Sequence, residues 1–258
     1  AINVTADDSM EVFKQAVTST MRAISGNEEL TVTFGRGKAY LQGDRARIPL
    51  PESGLSQSEL ASLRGTADRF ALRTRFHDDS LHRQTRPVTG VAQEVYDSVE
   101  EARIACIGSY LMRGVGDNLH AQLDEHYTNR GFQSIEDQSQ APLGDALGML
   151  IREKITGRKA PESGANVLEL WREHLEDHLS GDLGVLSDLM FDQEAFSRLA
   201  RRMISELGLT DEYGEDNSEG DPEDQDDAED ESESESGDDA SEQDTSGDSD
   251  LSDAIEGD

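Results

Sequence analysis

Between Ala71 and Gly108 the chain reads ALRTRFHDDSLHRQTRPVTGVAQEVYDSVEEARIACIG, and residues 77–86 hold His77, Asp78, Asp79, His82, Arg83 and Arg86. Such side chains could bind a metal, move protons or pair ionically, and each use demands a spacing. His77 and His82 are five apart, which on one helix sets them about 140° from each other. A shared metal ion therefore requires the helix to have ended between them. Asp78 and Asp79 are neighbours whose side chains diverge on a helix. They suit capping, or pairing with Arg73, Arg75, Arg83 or Arg86, better than tandem acid–base work. Ser80 lies between Asp79 and His82, but no Gly-x-Ser-x-Gly elbow surrounds it.

Other chemistry-bearing spacings are weaker. His174 and His178 are four apart on an expected helix, as in zincins, but Glu176 does not directly follow the first His and no third ligand is apparent. An exposed polar face near Trp171 is the simpler reading. Gly35-Arg36-Gly37-Lys38 lacks the spacing and the Lys-Ser/Thr ending of a phosphate loop and reads as a hairpin turn. The sequence contains no Walker A loop and no Rossmann glycine pattern. Cys106, the sole cysteine, falls in an apolar helical pattern and reads as a reduced core thiol. Taken alone, these residues describe a helical interaction domain with an Arg-rich connector rather than a self-sufficient enzyme, and the sequence assigns no catalytic, cofactor-binding or metal residue.

The elements that must hold the connector are mostly helical. Asp7 and Asp8 can cap a helix over 9–24 with Met10, Phe13, Val17, Met21 and Ile24 as its stripe. Residues 30–34, 39–42 and 46–50 read as three short strands of a small antiparallel sheet, stopped by Pro49 and Pro51. Ser56 and Glu59 form a capping box for a helix reaching Phe76. Pro87 disfavours helix at Arg86, so 77–86 reads as a helix end plus connector. A long helix over 91–111 should bury Val95, Val99, Ala102, Cys106, Ile107 and Tyr110. Glu94, Asp97, Glu100, Glu101 and Arg103 should stay outside. Gly114 and Gly116 separate it from a helix over 117–128. Further helices are expected over 142–156, closed by Gly157, and over 166–179, 182–190 and 192–207, with Asp182 and Asp192 as caps of the last two.

The chain has 258 residues and a net charge of -33. Of its 56 acidic residues, 24 lie in 211–258, which has no Lys or Arg; the 32 acids of 1–210 face all 23 bases, a net of -9. The division is a helical domain over 1–208 and an acidic tail over 209–258. The tail cannot bury enough apolar surface to offset its ordering entropy, and disorder is expected there. The charge makes nucleic acid a poor partner. No apolar run approaches the ~20 residues that span a bilayer, and no leader pattern opens the chain, which together favour the cytoplasm. The fold class expected is mostly α: a multi-helix domain with a small antiparallel β insertion near the N-terminus, followed by a disordered acidic tail.

Several segments in order carry a resemblance: FKQAVTSTMRAISGNEELTVTF, ARIPLP, LRGTADRFALRTRFHD, ARIACIGSYLMRGVGDNL, APLGDALGMLIREKITG and VLELWREHLE. Over residues 9–207 they resemble the N-terminal region of the CobT family of aerobic cobaltochelatase subunits; the most specific piece is the RG-x-AD-x-x-ALR-x-x-x-HD run ending at Asp78. The resemblance implies a non-catalytic subunit of an ATP-dependent ligase that inserts cobalt into hydrogenobyrinic acid a,c-diamide in cobalamin biosynthesis. It implies two partners, an AAA+ ATPase subunit in a ring-shaped, chaperone-like motor and a large tetrapyrrole-binding subunit. ATP, magnesium and cobalt serve that complex, and no cofactor is expected on this chain. The family's C-terminal von Willebrand A domain and its metal site are not in this sequence. His77, Asp78, His82, Arg83 and Arg86 are the candidate partner contacts. The alternative is an adaptor of an AAA+ protein-remodelling complex unrelated to tetrapyrroles; a His-based metallohydrolase is a third reading.

Overall fold

The computed structural model describes residues 6–50, 56–88 and 90–209. The acidic tail from residue 210, Pro51 and the side chains of Asp7 and Asp8 lie outside the described residues. The fold is mostly α, with a small three-stranded sheet near the N-terminus. Helix α1 (Ala6–Ser25) leads into strands β1 (Thr31–Gly35), β2 (Tyr40–Gln42) and β3 (Arg45–Pro49). Then come α2 (Gln57–Phe76), α3 (Asp79–Thr85), α4 (Gly90–Leu111) and α5 (Arg113–Asn129). Two short 3-10 turns lead to α6 (Leu143–Thr156), and a third to α7 (Ala165–Leu183), α8 (Leu186–Leu189) and α9 (Gln193–Glu206). Among the described residues no helix is long and apolar enough to cross a membrane.

Local signals place most boundaries. The Ser56 side chain accepts from Glu59 N at 3.2 Å while the Glu59 carboxylate takes Ser56 N at 2.7 Å, the reciprocal capping box expected of α2. Asp192 caps α9 through Ala195 N at 2.9 Å. The apolar stripes collect into two cores. One joins α1, the sheet, α2 and α5 around Met21, Leu30, Ile48, Leu72 and Val115. The other joins α4, α6, α7 and α9 around Val99, Cys106, Leu147, Leu175 and Met203. Helix α4 serves both, because Ile104 faces the first core while most of its buried residues face the second. Helix α2 meets α5 closely at Gly65, where a Cβ would stand 2.2 Å from the Asn118 carbonyl oxygen. No larger residue fits that crossing.

The structure corrects several expectations. The sheet is mixed, not antiparallel: β2 and β3 form the hairpin, but β1 pairs with β3 in parallel, giving the order β1-β3-β2. The residues between β1 and β2 carry the chain past the end of β3, with Gly37 at φ 109°. The apolar alternation of β3 makes it central, with Ala46 and Ile48 buried. Gly114 and Gly116 lie inside α5, which begins right after Met112. Asp182 caps nothing: α7 runs on past a kink at Leu179, and Asp182 is buried there against Arg202. Tyr110 is 72% exposed, near the end of α4, and meets Phe191 edge-on.

The largest correction concerns α4's polar residues. Glu100 is 6% and Arg103 1% exposed, although both were expected outside. Residues 96, 100, 103 and 107 follow a helical spacing of four, three and four, so the two ionic residues stand within an inner stripe beside Tyr96 and Ile107.

Candidate functional site

The connector folds as a helix of its own. Helix α2 ends at Phe76, and His77 is extended (φ -118°, ψ 124°). Asp78 restarts the chain as the N-cap of α3, accepting from Ser80 N at 2.8 Å and Leu81 N at 3.0 Å. Those two amides, led by Leu81, hold the Asp78 carboxyl below its ordinary range. The seven residues of α3 include none that is buried, so polar bonds must hold it in place.

Helix α4 supplies them. His82 Nε2 lies 2.9 Å from Asp97 Oδ1. Arg86 grips the same carboxylate in a fork, with Nε 2.6 Å from Oδ1 and Nη2 on Oδ2. Burial opposes ionisation of Asp97, yet Arg86 and then His82 push it down to about 2. Thr85 Oγ1 and the Tyr96 hydroxyl are 2.5 Å apart.

The deepest part of the network joins three helices. Arg103 donates from Nε and Nη2 to the two oxygens of Glu100, each at 2.8 Å. It also donates to the Phe76 carbonyl at 2.6 Å and the Met190 carbonyl at 2.9 Å. One guanidinium thus closes the end of α2 and the start of the α9 approach onto α4. His77, its side chain 1% exposed, places Nδ1 2.6 Å from Glu100 Oε1. Burial works against the Glu100 charge, but Arg103 and then His77 keep its carboxyl below the ordinary range. The other ring nitrogen of His77 stands 2.9 Å from Arg73 Nη2 and 3.1 Å from Asp79 Oδ1. Gln193 completes the junction, accepting from Asp78 N at 2.7 Å and donating to the Asp78 carbonyl at 3.0 Å.

Because α2 ends before His77, the two imidazoles meet, with ring centroids 4.8 Å apart. The arrangement still suits structure better than metal. Both His77 nitrogens and His82 Nε2 already face partners, and Arg73 and Arg86 put positive charge beside them. Among the described residues no group of three or more His, Cys, Asp or Glu side chains gathers into a metal site. Ser80 offers no nucleophile–base pair: its hydroxyl lies 3.4 Å from Gln84 Nε2. The rings of His174 and His178 are 4.2 Å apart on α7, and His178 Nδ1 is bonded to the His174 carbonyl at 2.8 Å. Cys106 is buried in the second core, and burial pushes its thiol up to about 11.

Of the five candidate contact residues, His77, Asp78, His82 and Arg86 all make intramolecular bonds, whereas Arg83 is exposed on α3. The sequence reading missed Glu100, Arg103, Tyr96, Asp97 and Gln193. The helical spacing of 96, 100 and 103 was the available signal for three of them; nothing local marks Gln193, whose partner lies 115 residues away.

A family model described as cobalamin biosynthesis protein CobT matches residues 7–258. No solved structure matches the chain.

Proposed function

The chain belongs to the CobT family of cobalamin biosynthesis proteins, and from that premise we propose that it is a non-catalytic subunit of an ATP-dependent cobaltochelatase. In this reading the complex is a cytoplasmic ligase that inserts cobalt into hydrogenobyrinic acid a,c-diamide. An AAA+ ATPase subunit forms a ring-shaped motor with this chain, and a large subunit holds the tetrapyrrole. ATP and magnesium drive the motor, and cobalt is cargo. The observation that carries the reading is the family match, which spans the helical domain and continues beyond it.

The geometry supports a transmitting rather than a reacting role. Inserting a cation requires stripping its water and distorting a macrocycle, steps a motor can drive from outside the reaction site. A motor accessory needs docking surfaces on stiff elements. The ionisable groups of the connector are spent on bracing α2, α3, α4 and α9 against one another. We assign the direct partner contact to exposed Arg83, with His77, Asp78, His82 and Arg86 fixing the helix that presents it.

Cobalt insertion assayed with the ATPase and large subunits, with and without this chain, tests the function. Insertion should depend on the chain or on a version extended by the family's C-terminal von Willebrand A domain, and equal insertion without either refutes it. Arg83→Glu should weaken binding to the ATPase subunit by about tenfold while leaving the fold intact. Unchanged binding sinks the contact assignment alone.

A further inference from the structure

A cleft lies away from the connector, lined by α2, α4, α5, α6 and the segment Arg158–Pro161. Leu119, Leu123 and Met149 give it an apolar wall. Arg69, Arg152, Arg158 and Lys159 also line it, against a single carboxylate, Glu101. That balance is the reverse of the domain as a whole, where acids outnumber bases.

The cations of the cleft are unevenly satisfied. Glu101 is taken by Arg73 at 2.8 Å and by Arg69 Nη1 at 3.4 Å. Arg158 pairs with Asp117 at 2.8 Å. Arg152 is half-buried, and its guanidinium, packed over Gly148, has no hydrogen-bond or ion-pair partner among the described residues. Lys159 likewise has none. An unpaired guanidinium beside an apolar wall calls for an anion.

We propose that this cleft binds a small organic carboxylate, its oxygens on Arg152 and Lys159 and its hydrocarbon end against Leu119, Leu123 and Met149. The cavity is about 60 Å³, roughly four times the space one water needs. That is enough for the carboxylate end of a small acid. The apolar wall favours an organic acid over inorganic phosphate. The site is separate from the connector and from the partner contact assigned to Arg83.

His120 also lines the cleft, and burial, then Arg158, holds its imidazole below the ordinary range. A bound carboxylate should raise it, which gives a spectroscopic readout. The full chain is titrated with butyrate and followed by NMR, with sodium chloride at matched ionic strength and inorganic phosphate as parallel arms. Butyrate should give saturable shifts in residues lining the cleft and move the His120 titration upward. Phosphate should bind more weakly and chloride should not reproduce either effect. Arg152→Gln with Lys159→Gln should weaken butyrate by about tenfold or more. Should that pair disturb folding, Lys159→Gln alone, at an exposed position, should weaken it about threefold. Absence of saturation at tens of millimolar, an equal response to chloride, phosphate binding as tight as butyrate, or variants that bind as the parent does would each overturn the proposal.

Discussion

Helix α4 is closed on two sides by opposite means. Toward α6 it presents Val95, Val99, Ala102 and Cys106 to Leu147, Leu150 and Ile151, and every one of them is fully buried. Small residues let the helices approach: a Cβ on Gly144 would come within 2.9 Å of Ser98 Oγ. Toward α3 and α9 the same helix presents Asp97, Glu100 and Arg103, and the closure is ionic. The apolar side draws its stability from area and volume, so it degrades gradually when atoms are removed. The ionic side is nearly all-or-none, because losing one partner strands a buried charge.

The largest effect should follow from Arg103→Ala. It leaves Glu100 buried beside a neutral gap and frees the Phe76 and Met190 carbonyls, at a cost of about 3–5 kcal/mol in urea unfolding. Arg103→Lys should rescue little, since an ammonium cannot reproduce the fork. Arg103→Met combined with Glu100→Leu should recover most of the loss; a double variant as unstable as Arg103→Ala would erase the contrast between the two sides.

On the apolar side Leu147→Ala should cost about 3 kcal/mol, but Leu147→Met under about 1.5 kcal/mol. A methionine as damaging as alanine would show that this side, too, depends on fixed geometry.

Asp68 sharpens the comparison, being buried near α5 with an Asn118 bond at 2.8 Å and the charge of Arg64, one turn away on α2, as its support. Burial, against those two, raises its carboxyl to about 6. Its folded value lies above the unfolded one, so its contribution is fully present below about pH 4 and is lost as pH rises through about 6. Asp68→Asn should therefore stabilise the protein by about 1–2 kcal/mol at pH 8 and leave it unchanged near pH 4. Equal stability of the two proteins at both pH values would contradict this.

The smallest effect belongs to Asp97, whose side chain is 36% exposed. Its folded value, about 2, lies below the unfolded one, so its contribution is present above about pH 4 and lost as pH falls toward 2. Solvent screening limits Asp97→Asn to about 1 kcal/mol or less, weakening further in salt. A larger loss would make the outer ion pairs equal to the inner one.

Elements with a local signature were legible in the sequence. The Ser56–Glu59 box, the Asp192 cap and the stripe of α6 each depend on residues within a turn or two, and each formed as the spacing required. Elements fixed by distant pairing were not. Nothing local tells β1 to lie beside β3 in parallel, because strand order follows from which strand is most apolar and how the connection runs. The connector was found by its composition, but its geometry depends on Gln193 and on α4. Glu100 and Arg103 were misplaced because ionic residues were read as outward-facing whatever their phase, although a pair three apart can satisfy itself inside a core.

The reach of Arg103 bears on how the chain is made. Its acceptors on Met190 and Gln193 lie 87 and 90 residues downstream. At about 5–20 residues per second, a nascent chain holds α4 for several seconds or more before those groups exist. Throughout that interval the guanidinium has Glu100 and Phe76 but lacks its final partners. The first core, complete by α5, can set early during synthesis. The junction between the cores must wait for α9, so the last described helix acts as the closing clasp of vectorial folding.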